Sequence, residues 1–342
     1  MSSPWVTGSS PAFCRAFSFA TVLGLWEINP PTPIQEPHQC SALPLPGWLH
    51  STGRSAEHVS DLYELIESPE LDSPTLLLGL DGWIDAGLAA TNAFGTLLEN
   101  LETVTVARFD ADSLIDHRSR RPTMHLLDGI NTGLTWPTIE LRAGFDADGA
   151  SVLFLVGAEP DHRWMAFADA VVDLSHQFEV SAVFGLGAYP APVPHTRPTQ
   201  IVTTATDAEM AQRVGSVSGR MDVPAGINAA IELACAASGL QATGLWAQIP
   251  HYAAGMPYPA GALALVEGLR TIAGLNFNLG SLVEDARTSR VRLDELVANS
   301  DEHIEMVRQL EAQADSQVAI EDPLPMGDDL MAELEQFLRE QD

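Results

Sequence analysis

Six short apolar runs recur through the middle of the chain: TLLLGL (75–80), TVTVARF (103–109), SVLFLVG (151–157), SAVFGLGAY (181–189), QIVTTAT (200–206) and GLWAQIP (244–250). Their length and their β-branched and aromatic content read as strands. Residues 86–101, 162–178, 207–213, 225–238 and 259–273 are instead Ala- and Leu-rich with helical spacing. Strand, helix, strand in succession predicts an α/β fold: a mostly parallel, buried sheet flanked by helices in three layers. Residues 124–144 alternate in polarity and are split by Gly129 and Gly133, which predicts an antiparallel hairpin on that sheet.

The two ends differ from this core. Residues 1–55 are rich in proline and nearly free of charge up to residue 50, a composition expected to be disordered. No methionine lies between Met1 and Met124, so a start at a non-methionine codon near Val59 is also a reading of this segment. The α/β core is expected over 56–278. Residues 279–316 are charged and poor in glycine, with Leu282, Ala286, Leu293, Leu296, Val307 and Leu310 near three-four spacing, which predicts a helical hairpin packed on the core. Residues 317–342 form an acidic linker and a last helix with Leu330, Leu334, Phe337 and Leu338 on one face. That tail is expected either to dock on its own domain or to seek a partner's groove.

Charge narrows the functions. There are 46 acidic residues against 17 basic ones, a formal −29, which disfavours nucleic acid and anionic membranes as partners. All 17 basic residues are arginine. Without lysine there is no P-loop of the usual kind and no Schiff-base nucleophile. Cys14, Cys40 and Cys235 form no CxxC pair, so neither a disulfide framework nor a cysteine zinc site is expected, and a cytoplasmic setting fits. No apolar stretch reaches the roughly 18 residues of a membrane helix. AFSFATVLGLW (16–26) lacks the basic flank and cleavage site of a signal peptide. No metal or cofactor is expected.

The chemistry-bearing residues gather where strands end. GLDGWIDAG sets Asp81, Gly82, Trp83, Asp85 and Gly87 between a strand and a helix, where open α/β sheets place ligands. Asp85 is equally placed to cap a helix starting at Ala86, with Gly82 and Gly87 easing a tight backbone. GAEPDHRW holds Glu159, Asp161, His162, Arg163 and Trp164, either an acid–base cluster or a helix start with Asp161 as cap and Trp164 in the core. GLGAYPAPVPHTRP stiffens a loop that presents His195 and Arg197 to a substrate or a neighbouring subunit. His251, Tyr252 and Tyr258 follow a further strand, and these loops are expected to line one rim. GSVSG (215–219) has Val217 where a nucleophile elbow has serine, so no catalytic residue is assigned.

In their order and spacing, the D-G-W-x-D-A-G, GAEPDHRW and P-H-T-R-P elements resemble the proteasome assembly chaperone 2 family, in particular its actinobacterial branch, from about Leu62 to about Gln313. The resemblance implies a nucleoside-phosphorylase-like α/β fold, no established catalytic site, homo-oligomers and a role beside proteasome subunits. It makes Asp81, Gly82, Trp83, Asp85, Gly87, Glu159, His195 and Arg197 family-motif residues. Some archaeal relatives end in a hydrophobic-tyrosine motif that docks on the proteasome ring, whereas this chain ends FLREQD. An ATP-grasp ligase label sometimes attached to the family fits poorly with a chain that lacks lysine. The alternative is an enzyme on the same fold, with Glu159, His195 and Arg197 around a small anionic or nucleoside substrate.

Overall fold

The computed structural model describes residues 61–82, 84–206, 211, 215 and 222–321, with side chains to 316. The chain divides into Met1–His58 and Val59–Asp342, and the described residues all belong to the second unit. The expectations for residues 1–55, for Trp83, for most of the 207–213 helix, for GSVSG beyond Gly215 and for the tail helix lie outside the described residues.

The strands are β1 (Tyr63–Leu65), β2 (Thr75–Asp81), β3 (Val104–Phe109), β4 (Thr123–Leu127), β5 (Ile130–Thr135), β6 (Ile139–Phe145), β7 (Ser151–Ala158), β8 (Ala182–Ala191), β9 (Ile201–Ala205) and β10 (Ala242–Pro250). Eight of them form one sheet in the order β1-β3-β6-β7-β2-β8-β10-β9. The four central strands β7, β2, β8 and β10 run parallel, and the outer strands on both sides are antiparallel. Helices cover both faces: α1 (Ala89–Glu99), α2 (Ala111–Leu114), α3 (Trp164–Gln177), α4 (Ile227–Ser238), α5 (Pro259–Gly268), α6 (Leu282–Ala298) and α7 (Asp301–Glu321).

Two apolar cores result. Leu76, Leu78 and Leu80 of β2 face the core beneath α3 and α4, while Leu77 faces the opposite core beneath α1, α5 and α6. On β7, Leu153 and Leu155 join the first core, and Val152 and Phe154 the second. Burial on both faces is why these strands read as continuous apolar runs rather than alternating ones. At Gly79 a Cβ would come within 2.5 Å of the Phe94 ring, so the bare backbone lets α1 settle close to the sheet.

One expectation needs correction. A hairpin does form within 124–144, but it comprises only β4 and β5 and makes a separate two-stranded sheet. Every residue of β4 and β5 is exposed, whereas β6 enters the main sheet between β3 and β7. The physical division lies at Trp136-Pro137, where proline cannot extend the β5 ladder and the chain turns back to the core. The helical hairpin at 279–316 is present as α6 and α7, which pack against each other, with Leu282 and Leu293 in the second core. Among the described residues no helix is long and apolar enough to cross a membrane.

Burial also sets a pH response. Glu232 of α4 is only 8% exposed and accepts from the Thr204 hydroxyl at 3.3 Å. Burial pushes its carboxyl from the ordinary 4.5 up to about 7. A raised folded-state value means that the folded protein holds a proton which the unfolded chain has released. This contribution is therefore full below pH 4.5 and lost as pH rises through about 7. Urea unfolding at stepped pH is expected to show that decline in the wild type, and Glu232→Gln is expected to flatten it.

Candidate functional site

Because the four central strands are parallel, their carboxyl ends lie on one edge of the sheet. Asp81 of β2 pairs in register with Ala158 of β7, and Pro250 of β10 with Ala191 of β8. The loops at 81–88, 158–163, 191–199 and 250–258 thus share the rim where such sheets bind ligands.

The first loop does not run straight into its helix. Ala86–Leu88 form a 3₁₀ turn, Leu88 takes a left-handed φ of 51°, and α1 begins at Ala89. Asp85 reaches past this turn. Its carboxylate accepts from the amides of Ala90 (2.8 Å) and Thr91 (2.9 Å) and from the Thr91 hydroxyl (2.8 Å). The amides that would hold an external anion at this helix terminus are therefore filled from within. Gly87 has φ +65°, and a Cβ there would lie 2.7 Å from Tyr258 Cβ. The Gly87 amide donates to the Ala254 carbonyl, and the Tyr258 amide donates to the Gly87 carbonyl. Gly82 is under no such constraint: a Cβ there would meet nothing nearer than 3.9 Å, contrary to the tight turn expected of it. Asp81 is exposed at the end of β2. Partial desolvation raises its carboxyl, Arg120 draws it down and Asp85 raises it.

The second loop disperses its charges. Glu159 is buried and accepts from the Ile227 amide at 2.7 Å, which puts a carboxylate on the N-terminus of α4. Burial raises its pKa, against the pull of that amide and of Arg120. Asp161 is not the cap of α3. Its amide donates to the Leu114 carbonyl and its carboxylate accepts from the Asp116 amide at 2.8 Å, so it holds the approach to β4 instead. The position before α3 belongs to Arg163, with φ 58° and no capping side chain. Trp164 packs on the core as expected, and its indole N–H donates to the Pro160 carbonyl at 2.6 Å. His162 and Arg163 stay exposed, so the four charged residues do not converge.

The third loop meets the chain's own C-terminal helices. The His195 side chain is 1% exposed. Its Nδ1 lies 2.7 Å from the Tyr252 hydroxyl, and its Nε2 lies 3.1 Å from Asp294 of α6. Tyr252 also accepts from the His195 amide at 2.8 Å, so its hydroxyl proton is free to point at Nδ1 and leave Nε2–H to donate to Asp294. Desolvation lowers the His195 pKa, opposed by Asp294, which fits this neutral tautomer. The Tyr252 phenol is pushed up to about 12 by burial. Arg290 donates to the His195 carbonyl at 2.9 Å and pairs with Asp294. Next along, Thr196 donates to Glu311, and Arg197 forms a two-pronged pair with Asp315 at 2.7 and 2.8 Å and a further bond to Glu311.

Sequence reasoning singled out one side of these pairs and missed the other. Asp294, Glu311 and Asp315 look like any other acids on charged helices. A rigid cationic loop in a strongly acidic chain that also carries an acidic helix pair was the available signal. Arg120 was missed too; its Nη1 is buried without a hydrogen-bond partner among the described residues, between the fields of Asp81 and Glu159.

With this geometry in place, comparison with known proteins is decisive. The PAC2 family model matches residues 79–297, from β2 to the end of α6. The chain belongs to the PAC2 family. A Corynebacterium glutamicum protein of unknown function is 35% identical over 75% of this chain and 98% of its own, with a TM-score of 0.70. A Streptomyces avermitilis PAC2 family protein is 31% identical over 68% of this chain and 99% of its own, with a TM-score of 0.61. A Mycobacterium tuberculosis protein described as a proteasome-assembly chaperone homologue is 28% identical over 68% and 99%, with a TM-score of 0.63. No curated protein matches the sequence.

The rim contacts make a testable demand on Gly87. A β-branched residue there meets both a left-handed backbone and the Tyr258 Cβ. Gly87→Val is expected to cost about 2–4 kcal/mol, from strain and overpacking together. Chemical denaturation measures it, and Gly82→Ala serves as the near-neutral control.

Proposed function

We propose that this chain is a non-enzymatic, cytoplasmic binding protein of the proteasome-assembly-chaperone type that works as a homo-oligomer and holds proteasome-like subunits. One observation carries the reading: the rim's motif residues are spent on the protein itself. Asp85 and Glu159 fill the N-termini of α1 and α4, where an anionic substrate would otherwise find backbone donors. His195 and Arg197 are engaged with α6 and α7. A rim fastened in this way gives a stiff, acidic surface suited to shielding a partner without altering it. Membership in the PAC2 family and the relative described as a proteasome-assembly chaperone homologue support the same reading.

A second reading has its own support. Desolvation raises the carboxyl pKa of both Asp81 and Glu159 from its ordinary value, and Arg120, whose buried Nη1 has no hydrogen-bond partner among the described residues, acts on both, an arrangement from which an acid catalyst can be built. On that reading a small anionic or nucleoside-type molecule binds at the rim, and the protein is an enzyme.

The deciding experiment mixes the purified chain with proteasome α and β subunits from its own organism and follows assembly by light scattering and native mass measurement. The chaperone reading expects a stable complex and faster ring formation. Absence of any complex, together with turnover abolished by Arg120→Ala, would favour the enzyme.

A further inference from the structure

Helix α4 keeps polar groups where a core helix is expected to be apolar. Its Ile227, Ile231 and Cys235 enter the first core. Asn228 and Glu232, one turn apart on the neighbouring stripe, also face the sheet. A Cβ at Gly185 of β8 would lie 3.3 Å from the Asn228 amide nitrogen. One at Gly244 of β10 would lie 2.8 Å from a Glu232 carboxyl oxygen and 2.8 Å from the Trp246 indole nitrogen. Gly185 and Gly244 are register partners, so two adjacent strands present bare backbone beneath the same two polar side chains.

The polar atoms there are poorly answered. Asn228 Oδ1 is buried and has no hydrogen-bond partner among the described residues. The two carboxyl oxygens of the buried Glu232 accept from one Thr204 hydroxyl, at 3.3 and 3.4 Å. That hydroxyl oxygen in turn accepts from the Trp246 indole N–H at 3.1 Å. An unanswered buried amide oxygen costs stability, and an apolar side chain in its place would avoid that cost. Convergent polar groups of this kind call for a partner from outside the fold.

Their chemistry narrows what that partner is. Asn228 Oδ1 needs a donor. Burial keeps the proton on Glu232 up to about pH 7, so its carboxyl offers a donor and needs an acceptor. A donor beside an acceptor is the edge of an amide, lactam or imide. Glu159 stands at the N-terminus of the same helix in a chain of formal charge −29, which repels an anion, and a protonated Glu232 gives a cation no counter-charge. Access is from the β9 side, where Thr204 is exposed and its long bonds to Glu232 yield readily to a better partner.

We propose that α4 and the β8–β10 backbone form a binding site for a small, flat, neutral molecule with an amide-type edge, its N–H meeting Asn228 Oδ1 and its carbonyl meeting Glu232. The site uses none of the rim motif residues, so it stands apart from both readings given above.

Calorimetric titration of the full-length protein below pH 7 with nicotinamide, uracil and hypoxanthine tests it, with benzoate and inorganic phosphate as anionic controls. At least one of the neutral probes is expected to bind, and neither control is. Asn228→Leu is expected to weaken that binding at least about tenfold, through loss of a hydrogen bond to a buried group, and to unfold at an equal or higher denaturant concentration. Asn228→Ala carries the same test if the leucine variant does not fold. Glu232→Gln still offers an N–H and is expected to keep the binding, whereas Glu232→Leu is expected to lose it. If no neutral probe binds up to its solubility, the inference falls and an ordered water is left to answer Asn228. Binding of the anionic controls would overturn the ligand class, and neutral-probe binding untouched by Asn228→Leu would overturn the location.

Discussion

The parallel register of β7, β2, β8 and β10 is the constraint on which the other features depend. Strands buried on both faces must be apolar throughout, so polar chemistry is pushed to their ends. Parallel pairing then delivers four loops to one edge. The residues that the sequence singled out lie at that edge: Asp85 and Gly87 after β2, Glu159 after β7, His195 and Arg197 after β8.

At that edge the loops are tied to one another in sequence. The Gly87 segment exchanges backbone bonds with residues 254 and 258, Tyr252 of the same loop grips His195, and His195 reaches Asp294 of α6. The outermost link, Arg197 to Asp315, is exposed and screened by salt, so it adds direction more than strength. The link at His195 is different, because its ring is buried and bridges the Tyr252 hydroxyl to Asp294, so removing it breaks the connection between the 250–258 loop and α6, although the half-exposed Asp294 keeps Arg290 and water as partners. The motif residues thus fasten a helical extension to the sheet, and they do so from a rim where a ligand would otherwise be expected.

Much of the fold was legible because its signals are local. Apolar runs of strand length, glycine-bearing loop starts and alanine-rich helices each occupy a few adjacent residues. The capping role of Asp85 could be read because its partners, Ala90 and Thr91, follow it directly. The role of Glu159 could not, since its partner is an amide 68 residues away, and His195 meets Asp294 across 99 residues. Sequence reasoning placed Asp161 as a cap because aspartate before a helix is usually one; tertiary contact with the 114–116 segment took it elsewhere. The hairpin was legible as a hairpin, but its separation from the main sheet was not. Alternation tells which residues share a face and not whether anything packs on it.

The central claim is that the rim motifs hold α6 against the core. Amide hydrogen exchange, resolved by segment, tests it most directly in His195→Ala. The account predicts faster exchange across residues 282–298 and 250–258 while β2, β7 and β8 stay protected. Unchanged exchange in α6 would contradict it and free His195 for a different role.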